Sequence, residues 1–261
     1  AFSLLVLLLL GGAIVLKNLI LHQVKKKIEA TLHYARLRLT VIPPAIVLED
    51  VRTVSTSPFF SAERIVLQIP FLSLLKRDRP LRVFIERPVL RIYENPQPDQ
   101  KQKIALKLPL SISIENGFIR DGEFYYWGEK TSFTSYKIKA FFQQSQDRLV
   151  LRAESDENSL LLDSLDYPLT GKASVSLEGR GNTIAINRIR AYGPEFIIKG
   201  KGVLSNPEQP EFEIQASLHG QTSLIQDIFD LPFDWKGTVD GKCTLSLEKG
   251  EIGFRADLAS D

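Results

Sequence analysis

Three histidines, His22, His33 and His219, and one cysteine, Cys243, are what this chain of 261 residues offers to imidazole or thiolate chemistry. Only His219 falls in the part of the chain with a strand-like pattern, so no histidine-rich metal site can be built there. A lone cysteine closes no disulfide and no cysteine cluster. Cys243, between Lys242 and Thr244 in an alternating run, reads as a small apolar side chain. Serine, aspartate and histidine for a hydrolytic triad exist, but none stands on a nucleophile turn. The carboxylates of Asp121-Gly122-Glu123-Phe124 and of Asp230 and Asp234 in "DLPFD" mark turns and strand ends. Gly179-Arg180-Gly181-Asn182 lacks the strand-to-helix setting in which glycines cradle phosphate. The residues therefore predict no catalytic group, no metal and no cofactor; the chain is not expected to be an enzyme.

Charge excludes another class. Lys and Arg total 33 against 31 Asp and Glu, a formal +2 with both signs spread along the chain and no basic block of the kind nucleic-acid binders carry. The chain contains no methionine and stops inside an alternating run, "EIGFRADLASD", which suggests a segment of a longer protein.

What must position any site begins with the N-terminus. From Ala1 to Leu16 the chain is apolar except Ser3, and after Lys17 and Asn18 the run resumes at Leu19, Ile20 and Leu21. About 20 such residues cross a hydrocarbon core, so residues 1–22 are expected to form a transmembrane helix. A cleaved signal peptide is the rival, but its apolar region is shorter and ends at a small-residue cleavage site. Residues 23–34 keep helical spacing through Val24, Ile28 and Leu32, and Lys25, Lys26 and Lys27 are placed to meet lipid phosphates at the membrane interface. His22 and His33 are expected on the same polar face of this continuing helix. Three lysines after the span favour a cytoplasmic body, yet large domains translocate regardless of local charge, so sidedness stays open.

After about residue 35 the period becomes two. Residues 63–69, 81–86, 148–153, 211–218 and 242–248 alternate, and "LKLPLSISIENG" is the most regular stretch, with Leu106, Leu108, Leu110, Ile112 and Ile114 on one side. In "EFEIQASL", Phe212, Ile214, Ala216 and Leu218 share a face, and Leu245 and Leu247 do the same further on. Asn116-Gly117, Asp121-Gly122, residues 179–182, Asn206-Pro207, Asp240-Gly241 and Lys249-Gly250 have turn chemistry. Trp127 with Phe124, Tyr125 and Tyr126, and Trp235 in "PFDWKG", read as core aromatics. Helices are scarce: a short one at 70–78 after Pro70, another starting at Thr222 or Ser223. A mostly antiparallel β protein follows, its apolar strand faces covered by a second sheet, by closure into a barrel, or by a curved sheet folded on itself.

The order of parts in 35–96, with a strand ending at Pro43-Pro44, "IVLEDV", "SPFFSAERIVLQI", a short "FLSLL" helix and "LRVFIERPVLRIYE" after a membrane helix, resembles the N-terminal region of the AsmA-like superfamily, which includes the TamB proteins. "LSISIENGFIRDGEFYY" and the stretch from "FIIKGKG" to "LSLEKG" are similar to its later strands. The resemblance implies an elongated, curved antiparallel β-sheet groove over 35–261, incomplete at its C-terminus, behind an inner-membrane helix. It implies a bridge-like lipid transfer protein with the β body in the bacterial periplasm, carrying glycerophospholipids between inner and outer membranes without chemical change. Leu106, Leu108, Leu110, Ile112, Ile114, Phe212, Ile214, Leu218, Leu245 and Leu247 are then the expected groove lining. The alternative is an assembly factor whose exposed strand edges pair with outer-membrane proteins, with inner- or outer-membrane proteins as partners.

Overall fold

The computed structural model describes residues 32–53, 59–70, 80–93, 113–145, 148–181, 183–205, 211–229, 236–248 and 251–260. The strands are β1 (Leu32–His33), β2 (Arg36–Val41), β3 (Pro44–Thr53), β4 (Phe60–Gln68), β5 (Leu81–Tyr93), β6 (Ile114–Trp127) and β7 (Thr131–Gln144). They continue as β8 (Arg148–Leu162), β9 (Leu169–Arg180), β10 (Thr183–Tyr192), β11 (Phe196–Ser205), β12 (Glu211–Gln221), β13 (Thr238–Glu248) and β14 (Glu251–Ser260). Helix α1 (Thr222–Phe229) lies between β12 and β13, where "TSLIQDIF" predicts it.

All the strands belong to one 14-stranded sheet in which each strand from β3 onward lies beside the next in sequence. β1 and β2 both pair with β3, along different stretches of it. The expected mostly β character and long sheet are observed, and among the described residues no second sheet lies over it. One joint departs from the antiparallel expectation: β5 and β6 run parallel. Residues 94–113 connect them, and parallel neighbours need such a crossover because a tight turn reverses direction. The transmembrane span, the helical extension up to residue 31 and the 71–78 stretch lie outside the described residues; among those described, no helix is long and apolar enough to cross a membrane. At the end of the extension the helical reading needs correction: Leu32 and His33 pair with Thr53 and Arg52 as β1.

The chain keeps one face apolar by local slips in the alternation of its strands. Asp50, Arg87, Asp121 and Lys137 adopt left-handed φ of 53°, 47°, 53° and 54°. Each sits inside a strand where the two-residue alternation slips, so that Leu48 and Val51, three apart, both point into the core at 2% and 1% exposure, while around Asp50 the pairing with β4 keeps its register. Left-handed backbone costs a non-glycine side chain energy, least for Asp. Arg87 is held by Glu63 at 2.8 Å, and Lys137 pairs with Glu157. Bulges also bend and twist strands, which curves the sheet.

Leu48, Val51, Ala62 and Ile65 form the tightest core, with Leu32, Tyr34, Leu37, Ile46, Phe60, Leu67 and Ile85 packed around it. At the far end α1 contributes Leu224, 2% exposed, beside the buried Thr222 and Val239. Tyr167 donates to Asp227 Oδ2 at 3.1 Å and so ties the segment between β8 and β9 to this helix.

Three expected turns are not turns. Asn116-Gly117 and Asp121-Gly122 lie inside β6, and Asp240-Gly241 inside β13. Their glycines serve close approach instead: a Cβ on Gly117 would stand 2.2 Å from the Phe142 ring, and one on Gly241 2.5 Å from Leu258. The expected turn after Gly179 is real, with Gly181 at φ 55° between β9 and β10.

Candidate functional site: two apolar lanes on one face

Tracing the register from strand to strand shows what the apolar face amounts to. One row runs Leu39, Ile46, Leu67, Val83, Gly117 and Phe142, from β2 to β7. It continues through Leu151, Leu177, Ile186, Gly202, Ile214 and Leu245 to β13. A second row beside it runs Leu37, Leu48, Ile65, Ile85, Ile119 and Ala140, then Ala153, Val175, Ile189, Gly200, Ala216 and Cys243. Neither lane contains a polar side chain. Across β2 to β13, strand spacings of about 4.8 Å make each lane roughly 50 Å long.

Burial divides the lanes. Around β3 and β4 they sink into the core just described, whereas from β8 to β13 their side chains are half-buried. Glycines sit in this face between large neighbours: Gly202 between Ile186 and Ile214, Gly241 between Leu218 and Leu258, Gly179 between Leu149 and Ile184. These glycines let neighbouring strands and side chains approach closely: a Cβ on Gly202 would stand 2.3 Å from the Glu213 carbonyl oxygen.

The opposite face is mostly charged and carries repeated ion pairs over β2 to β9. Arg38 and Arg36 reach Glu49 at 3.4 and 3.9 Å, Arg64 reaches Glu86 at 3.6 Å, and Arg82 reaches Glu115 at 3.2 Å. Arg148 and Arg180 share Glu178 at 3.1 and 3.0 Å. These pairs are exposed and each contributes little to stability; what they do is make this face unattractive to hydrocarbon. Aromatics interrupt it, with Phe84 stacked on Phe118 at 5.4 Å and Tyr93 and Tyr125 both stacked on Trp127.

Ile214 and Leu245 occupy the first lane as directly paired neighbours, and Phe212 and Leu218 are half-buried on the same face. Leu247 is the register partner of Phe212. Ile114 opens β6, paired with Leu81 on one side and Gln144 on the other, at the end of the sheet's apolar face. Leu106, Leu108, Leu110, Ile112, Lys25, Lys26, Lys27 and Trp235 lie outside the described residues. The aromatic run of β6 is not one core cluster. Phe124 packs toward Phe133, while Tyr125 and Trp127 stack on the charged face. Sequence reading missed the lane residues of β2 to β10. Their alternation was visible strand by strand, but which rows align depends on bulges that no residue type announces.

The groups capable of proton chemistry are few. His219 Nδ1 lies 2.9 Å from Asp240 Oδ1 on the charged face, both exposed, and Ser217 nearby donates to the Lys199 carbonyl at 3.4 Å. Tyr125 is the marked outlier. Burial, together with its hydrogen bond to Glu123 at 2.8 Å, pushes its hydroxyl well above the ordinary tyrosine value. A pKa raised on folding stabilises the fold fully below the unfolded value near 10, and that contribution drains away as pH climbs past it. In a spectrophotometric titration Tyr125 is therefore expected to ionise last, and Tyr125→Phe to remove the latest part of the curve; an unchanged curve above pH ~11 would show the assignment to be wrong.

No protein-family model, curated protein or solved structure matches the chain, so its function is argued from the geometry of these lanes.

Proposed function

We propose that the chain is a membrane-anchored lipid transfer protein that carries glycerophospholipids between the inner and outer bacterial membranes, their acyl chains lying along the two apolar lanes. One observation carries this reading: the lanes pass from β2 to β13 without a polar side chain, and over β8 to β13 their side chains are only half-buried.

The energetics favour such a surface. A phospholipid with about 30 methylenes loses on the order of 20 kcal/mol when they meet water, at about 0.8 kcal/mol each. A path between membranes must replace nearly all of that contact, and evenly, since a deep well traps lipid as surely as water repels it. Leu, Ile, Val, Phe and Gly supply contact without direction or fixed partners. Head groups stay at the wet side, and no bond is made or broken.

Mass spectrometry of lipid copurifying with the gently extracted protein tests the proposal. A defined phospholipid complement is the expected result. None at all would overturn it and favour pairing of strand edges with client β chains instead.

A further inference from the structure

On the charged face, β10 to β14 break the pattern of repeated ion pairs. A concavity of about 670 Å³ is lined by Arg188, Arg190, Lys199, Lys201, Lys242 and Arg255, and Asp257 is the only carboxylate in its lining. Asp257 reaches Arg255 alone, at 3.9 Å. The register makes the crowding specific: Lys199 stands directly opposite Arg190, and Lys201 faces the bulge that carries Arg188. Like charges directly across a strand pair destabilise it, and a bulge re-aims the side chain it bears. Ser217, Gln215 and Thr244 add hydroxyl and amide groups to the floor. On the same face the cations of β2 to β9 described above have carboxylate partners, so the imbalance is local in a chain whose total charge is +2.

We infer that this basic concavity of β10 to β14 is a binding site for a phosphate-bearing anion, either the head groups of an anionic membrane or a free phosphate ester. Multiple cations converging on one hollow suit a ligand with several oxyanion oxygens, and bidentate arginine beside point-charge lysine is the usual chemistry of phosphate capture. Since it lies on the face opposite the lanes, the site does not depend on lipid lying in them.

The test uses the full chain in phosphatidylcholine nanodiscs, which occupy any membrane-seeking segment. Two probes are offered: inorganic pyrophosphate, and vesicles of equal parts phosphatidylcholine and phosphatidylglycerol, with pure phosphatidylcholine vesicles for comparison. The parent chain is expected to bind at least one anionic probe and to ignore the neutral vesicles. Lys199→Gln with Lys242→Gln should weaken that binding by roughly fivefold per cation removed. Arg36→Gln with Arg38→Gln, which removes as much charge from the paired region, should leave it unchanged. Capture of the vesicles alone assigns a membrane surface, of pyrophosphate alone a soluble phosphate ester, and mutual displacement a site open to both. Binding of neither probe, an undiminished Lys199/Lys242 variant, or equal loss in the Arg36/Arg38 control overturns the inference. Ile186→Asp with Ile214→Asp should keep anion binding, which separates failure here from failure of the lipid-carrying role.

Discussion

A chain carrying Ile186→Asp and Ile214→Asp together is expected to fold and yet to come out of the membrane with its lipid complement reduced more than about tenfold. The two positions flank Gly202 in the first lane, so both carboxyls enter the same short stretch of it. Both side chains are half-buried and lie outside the Leu48 core, so the fold can tolerate them with solvent access. A hydrocarbon tail crossing that stretch cannot. A polar group left unpaired against it costs roughly 2–7 kcal/mol, and more if it stays ionised. Thr183→Asp, on the same strand as Ile186 but exposed on the charged face, serves as the control and should leave lipid content unchanged. Circular dichroism establishes folding, and lipid mass spectrometry reads the outcome. A folded double variant with the parent's lipid content would remove the lanes from consideration as the carrying surface.

The second large effect concerns stability. Leu48→Ala should lower the free energy of unfolding by about 2–5 kcal/mol, the range for emptying a leucine site in a close-packed core. Leu48 is 2% exposed and packs with Val51, Ala62 and Ile65. A sheet with few fully buried side chains has little else to fall back on, and whole domains are stable by only about 5–15 kcal/mol. Leu258→Ala, at a position 44% exposed, should change stability by less than about 0.5 kcal/mol. Urea unfolding of the two variants checks the contrast. Comparable small losses at both sites would mean that the region around β3 and β4 is not the anchor of the fold.

How far the sequence revealed this depends on the strand. β12 was plain, because "EFEIQASL" alternates without a bulge and the exposure of its side chains alternates in step. β6 was legible only in part: Asn116-Gly117 and Asp121-Gly122 carry the composition of hairpin turns, yet tertiary contacts with Phe142, Pro88 and Ile138 hold both glycines within a continuous strand. Helix α1 appeared where its cap and apolar spacing place it. His33, spaced as if on a helix, belongs to a strand because pairing with Arg52 outweighs a weak local preference. The lanes themselves were beyond reach from one chain. They are a property of alignment between strands, set by pairing registers such as the shift in β10 between Ile186 and Ile189, which no residue type announces.

The parallel joint between β5 and β6 has a kinetic consequence. Between β2 and β5, and again from β6 to β14, antiparallel neighbours can zip up from the connection that joins them, which is longest at β4–β5 and β12–β13. Docking of β6 onto β5 has no such shortcut, since a long intervening segment must first surrender its freedom. The expectation is that β2 to β5 and β6 to β14 assemble as two meanders whose joining is the slow step, and that a misassembled or domain-exchanged product would arise at the seam between them.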